Sequence, residues 1–188
     1  MVSKGNKVVV VGAGLMGTGI AHAFDSSGFV IDLVDTSETA LEKARIAIES
    51  IIDGGVERGK ISSTDAQSAK QNLSVSTNLG QSANGATLLV ETVSENLAIK
   101  QAVIREADAV MADDAVIATN TSALSVTEIA TAASAPENVI GMHFFNPVHK
   151  MKLVELVLGL ATNEATIAAT RQWCNALGKT SILVNETP

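Results

Sequence analysis

The stretch Val8-Val9-Val10-Val11-Gly12-Ala13-Gly14-Leu15-Met16-Gly17-Thr18-Gly19-Ile20-Ala21 decides the fold. Four successive valines make a short, β-branched, wholly apolar run, the pattern of a strand buried on both faces. Glycines follow at 12, 14 and 17, and then residues suited to a helix. Gly12 permits a tight turn, Gly14 lets a pyrophosphate come close to the backbone, and Gly17 lets the helix pack against the strand. The free N–H groups where that helix starts, at Leu15 and Met16, then face the phosphates together with the helix dipole. Glycines at this spacing are weak evidence alone, but an acid in the right place follows. Val30-Ile31-Asp32-Leu33-Val34 has the pattern of a second strand, and Asp35 stands at its carboxyl end. That is 18 residues beyond Gly17, near the roughly 20 of a ribose-binding acid. A carboxylate there accepts hydrogen bonds from both ribose hydroxyls and repels a 2′-phosphate, so NAD is expected rather than NADP.

The chain of 188 residues is 46% hydrophobic, enough for one domain with a substantial core. A net charge of -7 argues against a nucleic-acid partner. The single cysteine, Cys174, excludes an intramolecular disulfide and fits a reducing compartment. Its neighbours suggest an amphipathic helix, hence a packed thiol. No signal peptide or membrane span stands out from Met1 onward, no metal site is expected, and the cytoplasm is the expected location.

Further along, Gly28 ends the first helix and Thr36 or Ser37 caps a second beginning near Glu38. Leu41, Ala44, Ile48, Ile51 and Ile52 recur at helical spacing until Gly54-Gly55, where an interruption is expected. Val56–Ile61 is expected as a basic-tipped turn and Ser62–Lys70 as a short helix, together an excursion longer than a crossover needs. Arg58 and Lys60 at its tip either meet substrate phosphates or are merely solvated. Later strands are expected at 73–76, 87–93, 116–119, 139–142, 152–158 and 181–184, with helices after Asn96, over 126–133 and over 164–177. This alternation predicts an α/β fold: a doubly wound, mainly parallel sheet with a helical hairpin inserted after the second strand. In such sheets ligands bind at the carboxyl ends of strands, where Asp35, Glu95, Ser122 and His143 are expected.

His143, beside Phe144-Phe145-Asn146-Pro147, carries the imidazole that suits a general base. Twelve residues on, Glu155 interrupts the apolar run Leu153–Val157 and needs a partner there. Either His143 on a neighbouring strand supplies it, making a His–Glu dyad, or Glu155 pairs with Lys150 or Lys152. His149 is expected in solvent and His22 in a structural role within the first helix. Ser122 suits a hydrogen bond to a substrate oxygen better than nucleophilic attack.

Taken together, Gly12-Ala13-Gly14-Leu15-Met16-Gly17, Glu91-Thr92-Val93-Ser94-Glu95-Asn96, Asn120-Thr121-Ser122-Ala123-Leu124-Ser125, and His143-Phe144-Phe145-Asn146-Pro147 with Met151-Lys152-Leu153-Val154-Glu155 resemble the L-3-hydroxyacyl-CoA dehydrogenase family. The resemblance runs over essentially the whole chain, and the His-Phe-Phe-Asn-Pro and Asn-Thr-Ser motifs are its most specific parts. It implies that His143 takes the 3-hydroxyl proton of an acyl-CoA substrate while the C3 hydride passes to NAD. It implies that Glu155 orients His143 and that Ser122 hydrogen-bonds the substrate oxygen beside the nicotinamide. Glu95, Lys100 and Asn146 match positions that line the cofactor or position the site, and the excursion with Arg58 and Lys60 matches the region that meets CoA. The family continues after the equivalent of Glu186-Thr187-Pro188 with a helical domain that closes over the acyl chain and forms the homo-oligomer interface. The expectation is therefore the NAD-binding Rossmann-type domain alone, over residues 1–188, with no membrane partner. A dehydrogenase of non-CoA hydroxy acids and a non-catalytic NAD(H)-binding module are the competing readings.

Overall fold

In the computed structural model, which describes residues 2–3 and 5–186, the valine run becomes a central strand. Expectations that touch Met1, Lys4, Thr187 or Pro188 lie outside the described residues. Strand β1 (Lys7–Val11) leads into helix α1 (Leu15–Asp25), β2 (Val30–Val34), the hairpin helices α2 (Glu38–Glu57) and α3 (Ser63–Asn72), and β3 (Leu73–Ser76). Next come α4 (Leu79–Ala83), β4 (Leu88–Glu91), α5 (Leu97–Asp108), β5 (Val116–Thr119) and α6 (Val126–Ala130). Strands β6 (Val139–Phe144) and β7 (Leu153–Leu158), helix α7 (Glu164–Ala176) and β8 (Thr180–Asn185) complete the order. The eight strands form one sheet, ordered β3-β2-β1-β4-β5-β6-β7-β8. The first six are parallel; β7 pairs antiparallel with β6, and β8 lies parallel to β7.

Strand alternation divides the valines between two cores. Val8 and Val10 face Ile20 and Phe24 of α1, Leu41 and Ile48 of α2, and Trp173 of α7. Val9 and Val11 face Leu79 of α4, Ile104 of α5 and Ile129 of α6. With both faces covered, β1 has no solvent side, which is why it reads as a continuous apolar run. The chain turns from β1 to β2 on one side and to β4 on the other. That reversal opens a crevice above the carboxyl ends of β1 and β4, where such sheets bind ligands.

The helix starts carry a further signal. Ser37, Ser62, Asn78, Asn96, Ser125 and Asn163 each accept a backbone N–H of the helix they precede. Helix α1 begins at Gly14 with no side-chain cap and no acid in its first turn. Its leading N–H groups have no side-chain acceptor among the described residues, the arrangement at which helices bind anions.

Several local expectations differ from the structure. Helix α2 runs unbroken through Gly54-Gly55 to Glu57. A Cβ on Gly55 would stand 3.0 Å from Ile61, and one on Gly54 would stand 2.9 Å from the Arg58 guanidinium. The glycines here admit close packing within the hairpin, which offsets their poor helix propensity of about 1 kcal/mol each. Helix α4 occupies a stretch where no element was expected, because five residues are too few to show a period. The fourth strand and α6 are shorter than expected, while β6 runs on through His143 to Phe144.

Candidate active site

A cleft of about 400 Å³ opens above the sheet's carboxyl edge, lined by Met16, Thr92, Val93, Glu95, Asn120, Ser122, His143, Phe144, Phe145 and Asn146. Met16 comes from the start of α1, Thr92 to Glu95 from the turn after β4, Asn120 and Ser122 from the turn after β5, and the rest from the end of β6.

Gly12, at φ +105, makes the turn out of β1 in a conformation that a residue with a Cβ rarely adopts. Thr92 sits on that turn, its hydroxyl donating to the Val11 carbonyl at 2.8 Å and the Gly12 carbonyl at 3.1 Å. A Cβ on Gly17 would collide with the Gly12 carbonyl, so this glycine lets α1 close on the turn. A Cβ on Gly14 would meet nothing within 4 Å. The space over Gly14, beside the uncapped start of α1 and the exposed Leu15, is open on the side where a diphosphate would lie. Asp35 reaches the same loop: one oxygen accepts from the Ala13 N–H at 2.8 Å, and the other from the Ser37 N–H at 2.9 Å. Its carboxylate is thereby fixed at the end of β2. An uncapped helix start, an open glycine and a carboxylate beyond them fit a dinucleotide with a free ribose 2′-hydroxyl.

Antiparallel register places His143 of β6 directly opposite Glu155 of β7. Their side chains share one face, and His143 Nδ1 lies 2.8 Å from Glu155 Oε2. The alternative partners for Glu155, Lys150 and Lys152, form no ion pair with it among the described residues. With the carboxylate on the Nδ1 side, Nε2 is left with the lone pair that a base needs. The Phe145 ring packs 4.7 Å from the imidazole, centroid to centroid. His143 lies within β6 rather than beyond it, because pairing with β7 extends the ladder to Phe144.

The turn after β5 is held by Glu95. Its Oε1 accepts from the Thr121 hydroxyl, from the Ser122 N–H at 3.0 Å and from the Ala123 N–H at 3.2 Å. Burial works to raise the Glu95 pKa, but these bonds and the Lys100 charge outweigh it and hold the carboxyl below the usual glutamate range. Ser122 meets Glu95 through its backbone, and its residue lies on the cleft wall. Asn120 ties the same turn to β6, its Oδ1 accepting from the Phe144 N–H at 2.8 Å.

Lys100 does not face the cleft. It is buried in α5, with its ammonium 2.9 Å from Glu91, 3.2 Å from Glu95 and 3.3 Å from the Val93 carbonyl. It meets the site through Glu95. Arg58 and Lys60 stand exposed between α2 and α3 and are not among the residues that line the cleft. His149 is exposed; His22 is half-buried in α1, and burial first, then the His149 charge, hold its pKa below the ordinary value. Cys174 is buried, its thiol pushed up to about 12 by burial, which leaves it inert as a nucleophile. Glu91, Thr92, Asn120 and Thr121 carry the site's framework. They stand in the quoted motifs, but only strand pairing reveals their partners.

The family model for "3-hydroxyacyl-CoA dehydrogenase, NAD binding domain" matches residues 7–187. A probable 3-hydroxybutyryl-CoA dehydrogenase of Bacillus subtilis is 36% identical over 182 residues, 97% of this chain and 63% of that protein. The fatty acid oxidation complex subunit alpha of Psychrobacter arcticus is 36% identical over 97% of this chain, which spans 25% of that subunit. The crystal structure of (S)-3-hydroxybutyryl-CoA dehydrogenase from Ralstonia eutropha superposes with a TM-score of 0.92 at 36% identity, over 97% of this chain and 64% of that one. The chain thus spans less than two thirds of each of these relatives. It belongs to the family of NAD-binding domains of the 3-hydroxyacyl-CoA dehydrogenases.

Proposed function

We propose that the protein carrying this domain interconverts L-3-hydroxyacyl-CoA and 3-oxoacyl-CoA with NAD. The observation that supports this most is the His143–Glu155 pair at 2.8 Å, whose imidazole lines the same cleft as Ser122 and Asn146. Binding of a dinucleotide alone requires no such pair. Gly12, Gly14, Leu15, Met16, Gly17 and Asp35 hold the cofactor's diphosphate and adenine ribose, and Glu95 and Asn146 flank its reactive end. When bound, NAD supplies the hydride acceptor for C3. His143 Nε2 takes the proton of the 3-hydroxyl, and Glu155 stabilises the imidazolium that results. Ser122 offers its hydroxyl to the substrate oxygen, and Lys100 acts from behind through Glu95. Arg58 and Lys60 are the groups proposed for the CoA phosphates, supported by their exposure and positive charge at the hairpin tip.

In the full-length protein, His143→Gln lowers kcat by about 10²- to 10⁴-fold, the range of a positioned acid–base group. NADH affinity, followed by calorimetry, stays near wild type. A wild-type kcat in this variant removes His143 from the mechanism. Turnover of a free 3-hydroxy acid in place of its CoA thioester shifts the assignment to the non-CoA dehydrogenases.

A further inference from the structure

Lys179, between α7 and β8, is a buried lysine with an unusual set of partners. The residue is only 9% exposed. Its Nζ donates to the Val148 carbonyl at 2.7 Å and the Met151 carbonyl at 2.8 Å, and lies 5.9 Å from the centroid of the Phe144 ring. No carboxylate among the described residues lies within ion-pair distance. All three contacts fall on residues 144–151, the last residue of β6 and the stretch that connects it to β7.

That stretch carries the site. It begins with Phe145, packed on the His143 imidazole, and Asn146, on the cleft wall. It ends just before β7, which brings Glu155 opposite His143. The turn has its own bonds: the N–H groups of Lys150 and Met151 both donate to the Pro147 carbonyl, at 2.9 and 3.0 Å. Val148 is buried against α1, where a Cβ on Gly19 would stand 3.0 Å from its side chain. To these the Lys179 ammonium adds bonds to the carbonyls of Val148 and Met151, on either side of the turn's end.

Placing an unneutralised ammonium out of water is costly, and an apolar side chain of similar length would fill the space more cheaply. A compact tip with three donors ties two carbonyls at once and presents positive charge to a ring face. We propose that Lys179 is a positioning residue for the dehydrogenase reaction, clamping residues 144–151 so that Phe145 and Asn146 keep their places beside His143. The proposal rests on the reading of His143 as the base, because a clamp matters to rate only if the clamped groups serve the chemistry. Misplacing such groups by about 1 Å costs on the order of 10²-fold in rate.

The test uses Lys179→Met in the full-length protein, with two readouts. In steady-state kinetics kcat falls about 10- to 100-fold while the NADH dissociation constant stays within about twofold. In hydrogen exchange, which needs no turnover, the Lys150 and Met151 amides exchange at least about tenfold faster, while those of β1 and β4 keep their wild-type rates. A wild-type kcat overturns the proposal, as does unchanged exchange at 150–151. So does acceleration spread evenly over the sheet, which would mark a merely structural lysine. Should Met prevent folding, Lys179→Gln, neutral and shorter, is judged by the same outcomes. If His143→Gln turns over normally, the dehydrogenase reading fails, and the exchange data still decide whether the clamp exists.

Discussion

Gly14 and Gly17 look alike in the sequence and serve different masters. The backbone at Gly14 is extended, at φ -77 and ψ -170, and its missing side chain faces open space. The fold itself therefore accepts alanine there. Gly14→Ala should leave the thermal midpoint near wild type yet weaken NADH binding about tenfold or more, because the methyl takes the place of the diphosphate. Gly17→Ala meets the Gly12 carbonyl instead and should destabilise the fold by about 1–3 kcal/mol, read by thermal denaturation. If both variants behave alike, the division of roles is wrong. Asp25 has a consequence of another kind. Both of its carboxylate oxygens are buried without a hydrogen-bond partner among the described residues, and burial raises its pKa from 3.8 to about 7. Between those two values the folded state binds more protons than the unfolded state, so this group's contribution to stability declines as pH rises through that window. Asp25→Asn should flatten the slope and unfold at higher urea than wild type at pH 8. Parallel stability curves for the two proteins from pH 5 to 8 would contradict the assignment.

At the scale of elements, α5 joins the ends of β4 and β5 through charge. Glu91 and Lys100 are both buried; Glu91 also accepts from the Thr119 hydroxyl at 2.6 Å and from the Val93 N–H at 2.6 Å. Removing one charge of a buried pair leaves the other poorly compensated. Glu91→Gln should therefore cost about 3 kcal/mol in chemical denaturation, and the double variant Glu91→Leu with Lys100→Met should recover most of it. A single-variant loss below about 1 kcal/mol would mean that Glu95 alone neutralises Lys100. Elements also mark where local pattern misleads. Gly54-Gly55 has the signature of a helix stop, yet α2 passes through because Arg58 and Ile61 pack where side chains would have been. Ile51 fits the helical spacing but is 42% exposed, one position off the buried stripe of Leu41, Ala44, Ile48 and Ile52.

Across the whole molecule, the crevice above β1 and β4 couples ligand binding to stability. NADH at about 100 times its dissociation constant should raise the unfolding free energy by about 2.7 kcal/mol. NADPH at the same concentration should do much less under the proposed role of Asp35, whose carboxylate would repel a 2′-phosphate; equal midpoint shifts for the two would count against that role. By itself the sequence determined the central strand, the glycine turn, the acid after β2 and the doubly wound, mainly parallel class of the sheet, and it named the candidate groups. Those follow from periods of two and 3.6 residues and from backbone rules that act over a few positions. Only the tertiary structure decided who meets whom. Nothing local says that β7 runs antiparallel to β6, yet that direction alone sets Glu155 opposite His143. Nor does any local pattern bury Lys100 behind Glu95 or aim Lys179 at two carbonyls some thirty residues earlier. Such partners are fixed by strand pairing and helix packing across the whole sheet, because a buried charge takes the partner that the folded chain brings within reach.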